Sequence, residues 1–110
     1  MIRNYEFCFL IKSELTEEEL NKEIDFIERS MLNQGAEIIK KESLGRRTLA
    51  YPIKKKQDAI YYLFYIKCTP DKISKIEENF YRRENILRYL ILQRKKLKFA
   101  EEINAGTISE

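Results

Sequence analysis

The feature that most narrows the fold is residues 59–68, AIYYLFYIKC, an almost unbroken apolar and aromatic run. A β-strand turns successive side chains to opposite faces. Tyr61, Leu63 and Tyr65 therefore look one way, and Tyr62, Phe64 and Ile66 the other. A strand that is apolar on both sides is buried on both faces, or is central with one face covered by a partner. The rest of the chain has to supply its neighbours and its cover.

The first neighbour is residues 2–11, which alternate cleanly. Tyr5, Phe7, Phe9 and Ile11 form a strongly apolar side, with Asn4, Glu6, Cys8 and Leu10 opposite. A helix follows. Thr16 with Glu19 three residues on is a capping box, and Leu15 and Leu20 have the spacing of a hydrophobic staple. Glu17, Glu18 and Glu19 complement the positive end of the helix dipole. Leu20, Ile24, Ile27 and Met31 form the buried stripe, and Gly35 is placed to end the helix. Residues 37–53 read as a long extended segment with a bulge or bend at Gly45. Pro52 lacks an amide hydrogen, so this strand ends there or lies at a sheet edge. Residues 54–58 read as a charged turn before the aromatic strand. Thr69-Pro70 opens a second helix, with threonine as cap and proline at the first helical position. Ile73, Ile76 and Phe80 mark its buried side, and Arg82 and Arg83 sit near its negative end. Residues 86–94 are the last strand.

The order strand, helix, strand, strand, helix, strand fits an α+β ferredoxin-like split βαβ sandwich (βαββαβ). In that fold a four-stranded antiparallel sheet carries two helices on one face. Right-handed crossovers put the first and third strands in the middle and the second and fourth at the edges. This assigns residues 1–96 to one domain and residues 97–110 to a polar tail, ordered only if a partner holds it. Because the first strand starts almost at Met1, no leader is expected, and the expected compartment is the cytoplasm. No run approaches the length of a membrane span.

Catalytic chemistry finds little support. The chain has no histidine, and its three glycines, Gly35, Gly45 and Gly106, are too scattered for a phosphate loop. Cys8 and Cys68 lie in hydrophobic runs without metal-ligand spacing and read as small buried hydrophobes. The acids of the first helix read as dipole partners and a solvated face. We therefore expect no enzyme, no cofactor and no metal.

Charge is more informative in its distribution than in its total of +3. Acids predominate over residues 14–37; bases crowd residues 40–56 and 82–98. The first strand is poor in aromatics opposite its apolar side, and the glycine-aromatic signature of the RNA recognition motif is absent. Base stacking on an open sheet face is thus disfavoured, and an exposed apolar face fits a protein partner better. The bases gather on edges: Arg46, Arg47, Lys54, Lys55 and Lys56 around the second strand, and Arg88, Arg94, Lys95, Lys96 and Lys98 on and after the fourth. Arg3 adjoins the latter group. Phosphate contacts to structured RNA fit this pattern. Charges that solvate edge strands and block aggregation fit it too.

GRRTLAYPI at residues 45–53 resembles the second strand of the bacterial ribosomal small-subunit protein S-six (S6) family, with its glycine, basic residues and LAYPI. RNYEFCFLI is similar to that family's opening strand, and RRENILRYLIL to its entry into the last one. The likeness runs over residues 2–94 in order and spacing. It departs at residues 54–58, in the aromatic-rich third strand and beyond Lys95. The resemblance implies a structural, non-enzymatic, cytoplasmic protein of the small ribosomal subunit. It also implies binding to the central domain of small-subunit ribosomal RNA as a heterodimer with ribosomal protein S-eighteen (S18), without cofactor, membrane or small-molecule substrate. Arg3, Arg47 and Arg88 match basic positions of the family's motifs and lead the candidate RNA contacts. Arg46, Lys54, Lys55, Lys56 and Arg94 follow. Tyr51 and Pro52 are expected to shape the strand end. Some members carry glutamates added to the tail; the single Glu110 is no sign of that here. The alternative is a protein-interaction module of the same fold that docks a partner on its open face and touches no RNA.

Overall fold

The computed structural model describes residues 1–94, so Lys95, Lys96 and the polar tail, with Lys98, lie outside the described residues. The elements are β1 (Arg3–Lys12), α1 (Glu17–Asn33), β2 (Glu37–Ile53), β3 (Lys56–Cys68), α2 (Pro70–Glu77) and β4 (Ile86–Arg94). They form one antiparallel sheet in the order β2-β3-β1-β4, with the aromatic β3 and the alternating β1 in the middle. This is the architecture the sequence predicts.

Helix α1 begins as expected: Thr16 Oγ1 accepts from the Glu19 amide, and Glu19 Oε1 from the Thr16 amide, at 3.1 and 2.9 Å. It ends in a Schellman motif. The Ala36 amide donates to the Met31 carbonyl and the Gly35 amide to that of Leu32, with Gly35 at φ +81°. Met31 and Ala36 then meet in the core. Helix α2 departs from the sequence reading. Thr69 makes no side-chain cap bond, and the helix stops at Glu77. Phe80, Arg82 and Arg83 therefore stand in the following turns and not on the helix. The Thr69 side chain bonds Asp71 instead and lowers the pKa of that carboxyl.

The main core lies between the sheet and the helices. Phe7, Phe9 and Ile11 of β1 and Phe64 and Ile66 of β3 pack there with Ile24, Ile27 and Met31 of α1 and Ile76 of α2. Phe80 packs edge-on to Phe7, Phe9 and Tyr89, at centroid distances of 6.3, 5.1 and 5.7 Å. Both cysteines are free and buried, as expected of small hydrophobes. Burial, aided by the nearby Glu6, pushes the Cys8 thiol up to about 12.

The charged turn at residues 54–58 is shorter than expected. Ile53 pairs with Lys56, so only Lys54 and Lys55 turn, both at positive φ. Two-residue loops of that kind match the twist of the flanking strands. Gly45 is at φ +81°, beside one of three register shifts in β2. The predicted bulge is there, and two more accompany it.

Candidate nucleic-acid interface

The sheet face away from the helices is not the open aromatic surface that the alternation suggests. Past the Thr48 pairing, β2 leaves its register until Ile53. Leu49 and Ile53 there pack onto Cys8, Leu10, Leu63 and Tyr65 in a second apolar cluster. This irregular stretch borders a concavity of about 520 Å³. Cys8, Leu10, Tyr61 and Leu90 are apolar parts of its lining; Arg47, Tyr51 and Arg88 are polar ones. Strand pairing explains the placement. Arg47 sits opposite Ala59 and Arg88 opposite Leu10, and both partners belong to the second cluster.

The structure thus sorts the candidate bases. Arg47 and Arg88 share one concave face. Arg88 Nη1 donates to Tyr51 Oη at 3.2 Å, which fixes the guanidinium beside a ring that is 61% exposed. Among the described residues, Arg47 has no carboxylate partner. Its charge acts on Tyr61, lowering that phenol's pKa against the larger rise caused by burial. Arg94 shares this side of the sheet, but its Nε lies 3.1 Å from Glu6 Oε1, and the Glu6 carboxylate is buried.

The remaining bases point elsewhere. Arg3 pairs with Cys68 and Arg46 with Ile60, both on the helix side of the sheet. Arg46 Nε donates to Asp58 Oδ2 at 2.8 Å, and Ser13 Oγ also donates to that carboxylate. Those two bonds, Ser13's first, hold the Asp58 carboxyl below its usual range. Lys56 reaches Glu14 of the β1–α1 loop. Lys54 and Lys55 are exposed at the hairpin tip.

Among the ion pairs that the sequence does not announce, two have a buried carboxylate, Glu23–Arg83 and Glu6–Arg94. Helical arithmetic flags the first, since Glu23 stands three residues after Leu20 and four before Ile27, on the buried stripe. Nothing local flags the second.

Among the described residues no three His, Cys, Asp or Glu side chains come together as metal ligands, and no helix is long and apolar enough to cross a membrane. Fold and site together define a ferredoxin-like α+β protein with a basic-rimmed concave sheet face.

Comparison with known proteins makes the assignment specific. A family model described as Ribosomal protein S6 matches residues 4–93. The small ribosomal subunit protein bS6 of Porphyromonas gingivalis is 36% identical over 104 residues, spanning 94% of this chain and 87% of the relative. That of Campylobacter lari is 32% identical over 108 residues, spanning 96% and 87%. The chain belongs to the Ribosomal protein S6 family, whose members are structural proteins and not enzymes. The crystal structure of 30S ribosomal protein S6 from Thermotoga maritima matches over 100% of both chains with a TM-score of 0.81. At 24% identity that likeness concerns the fold.

Proposed function

We propose that this protein is a structural constituent of the small ribosomal subunit, in the cytoplasm. In this reading it binds the central domain of small-subunit ribosomal RNA jointly with ribosomal protein S18. The observation that carries the RNA contact is the convergence of Arg47 and Arg88 on one concave face, with Arg88 oriented by Tyr51. Guanidinium forks suit phosphate oxygens, and placing two of them on one face favours a backbone over a single anion. Lys54 and Lys55 add positive charge at the hairpin tip and Arg3 on the helix side of the sheet, away from this face. Arg46, Lys56 and Arg94 already serve carboxylates and contribute less. The apolar floor between the arginines suits a protein neighbour, which is the place this reading gives to S18.

The test combines two measurements. Gradient sedimentation of extract, with and without ribonuclease, is expected to show co-migration with small subunits that ribonuclease abolishes. The double reversal R47E/R88E is expected to weaken assembly with central-domain RNA and S18 by about tenfold or more, with a shallower salt dependence. Ribonuclease-insensitive, salt-independent association would establish the protein-interaction module instead.

A further inference from the structure

The hairpin between β2 and β3 turns on two lysines in a backbone conformation that lysine disfavours. Lys54 and Lys55 lie at φ 50° and 67°, the only non-glycine residues at positive φ among the described residues. There an L side chain crowds the following carbonyl, and chains selected for stability place Asn-Gly at such turns. Residues held in this region at a cost concentrate at functional sites.

Three further observations bear on what these two residues do. The hairpin outruns the sheet: β1 ends at Lys12 opposite Ala59, so Lys56, Gln57 and Asp58 of β3 continue without a β1 partner. At ~3.3 Å per residue this carries the turn roughly 10 Å past its neighbour. The base of that projection is braced, because Asp58 accepts from Ser13 and Arg46 while Lys56 pairs with Glu14. The tip is not braced: both lysines are exposed, and among the described residues neither has a carboxylate partner. Protection of a sheet edge does not account for them, since turn residues between paired strands present no ladder to cap.

From these we infer that the Lys54-Lys55 turn is a preformed prong whose two ammonium groups grip phosphate oxygens of an RNA backbone beside a groove. The left-handed turn is retained for that contact at the expense of stability. A braced hairpin presents both charges without ordering a loop on binding, which reduces the entropic cost of association. This inference rests on the RNA-binding reading above and adds a second, separate point of attachment.

The experiment uses the full chain with S18 and a central-domain RNA fragment, comparing K54N/K55G, K54R/K55R and R47E/R88E. K54N/K55G is expected to raise Tm by roughly 2–8 °C, since it relieves the turn. It is also expected to lower RNA affinity about 10- to 100-fold and to reduce the salt slope by about one to two. K54R/K55R is expected to retain affinity within about threefold, because charge is kept. A K54N/K55G variant with unchanged affinity and salt slope overturns the prong, as does one with lower Tm or equal losses in K54R/K55R. If R47E/R88E weakens binding in the same assay, the RNA-binding reading survives that loss. If the unsubstituted chain shows no salt-dependent RNA binding, the parent reading itself fails. Loss of S18 capture without RNA would assign the tip to the protein partner and overturn the inference.

Discussion

Arg83 grips Glu23 across sixty residues of chain, Nε to Oε2 at 2.8 Å and Nη2 to Oε1 at 3.0 Å. Asn85 Nδ2 donates to the same carboxylate at 3.2 Å, and the guanidinium lies 4.0 Å from the centroid of the Phe26 ring. One acid on α1 thereby holds the connection that leads into β4, the strand that carries Arg88. The Glu23 side chain is 3% exposed, whereas that of Arg83 is 38% exposed, so water offsets part of a loss on the arginine side only. Glu23→Ala leaves three donor groups, on Arg83 and Asn85, without their acceptor and is expected to cost about 2–4 kcal/mol, read from urea denaturation. Replacing both partners with apolar residues, as in E23L/R83M, is expected to cost clearly less than the single change.

Phe80 fills the gap between the end of α2 and the sheet, in contact with Phe7, Phe9 and Tyr89. It is fully buried although it belongs to no helix or strand. Phe80→Ala is expected to lower stability by about 3–5 kcal/mol, through lost transfer energy and the cavity left behind. Phe80→Leu is expected to recover most of that. The urea midpoint measures both.

The Thr16 capping box is exposed and local, so its contribution can be isolated. Thr16→Ala is expected to cost about 1 kcal/mol and Thr16→Ser much less, because serine keeps the acceptor for the Glu19 amide. Thermal melts of the two variants should separate by a few degrees.

Alkali should unfold the protein in a defined window. Cys8 is pushed up to about 12 from an ordinary 9.0, and Tyr89 to about 12 from 10.0, each chiefly by burial. The Tyr89 hydroxyl also donates to Glu77 Oε2 at 3.1 Å, a bond that only the protonated form can give. Both groups keep their proton in the folded chain after the unfolded chain has lost it, so the folded state binds more protons. Stability is therefore fully present below pH 9.0 and falls as pH rises toward 12. Burial also raises the Cys68 thiol from 9.0, so Cys8→Ala is expected to make the fall above pH 9.0 shallower, and C8A/C68A to move its onset to about pH 10, where tyrosine begins to titrate. Unfolding free energies measured between pH 7 and 11 would show this; an unchanged profile in Cys8→Ala would rule out Cys8 as a source.

Gly45→Ala tests the bulge. A Cβ at this position meets nothing within 4 Å, so the whole penalty comes from the backbone at φ +81°. A loss of about 1–2 kcal/mol is expected. The register shift beside Gly45 precedes the pairing of Arg46 with Ile60 and Arg47 with Ala59. Deleting Gly45 is therefore expected to exchange the faces of the two arginines and to impair RNA assembly more than the alanine does.

The amino-acid sequence by itself determined the order of the elements, the central place of β1 and β3, the start and end of α1, and the family. These follow from period-two and period-3.6 patterning, from caps, and from motifs, all of which act within a few residues. The basic side chains of the candidate interface were legible there too, but as a set without an arrangement. Only the tertiary structure decided which of them share a face. Arg46 and Arg47 are adjacent in the chain, yet one serves Asp58 and the other the concavity, because neighbouring strand residues point oppositely and three shifts in β2 reset their register. Arg94 and Arg88 lie on one strand, yet the first is held by Glu6 and the second by Tyr51. Leu49 and Ile53 cover a face that alternation alone left bare. Each of these outcomes depends on partners tens of residues away, and strand pairing, not local propensity, brings them into reach.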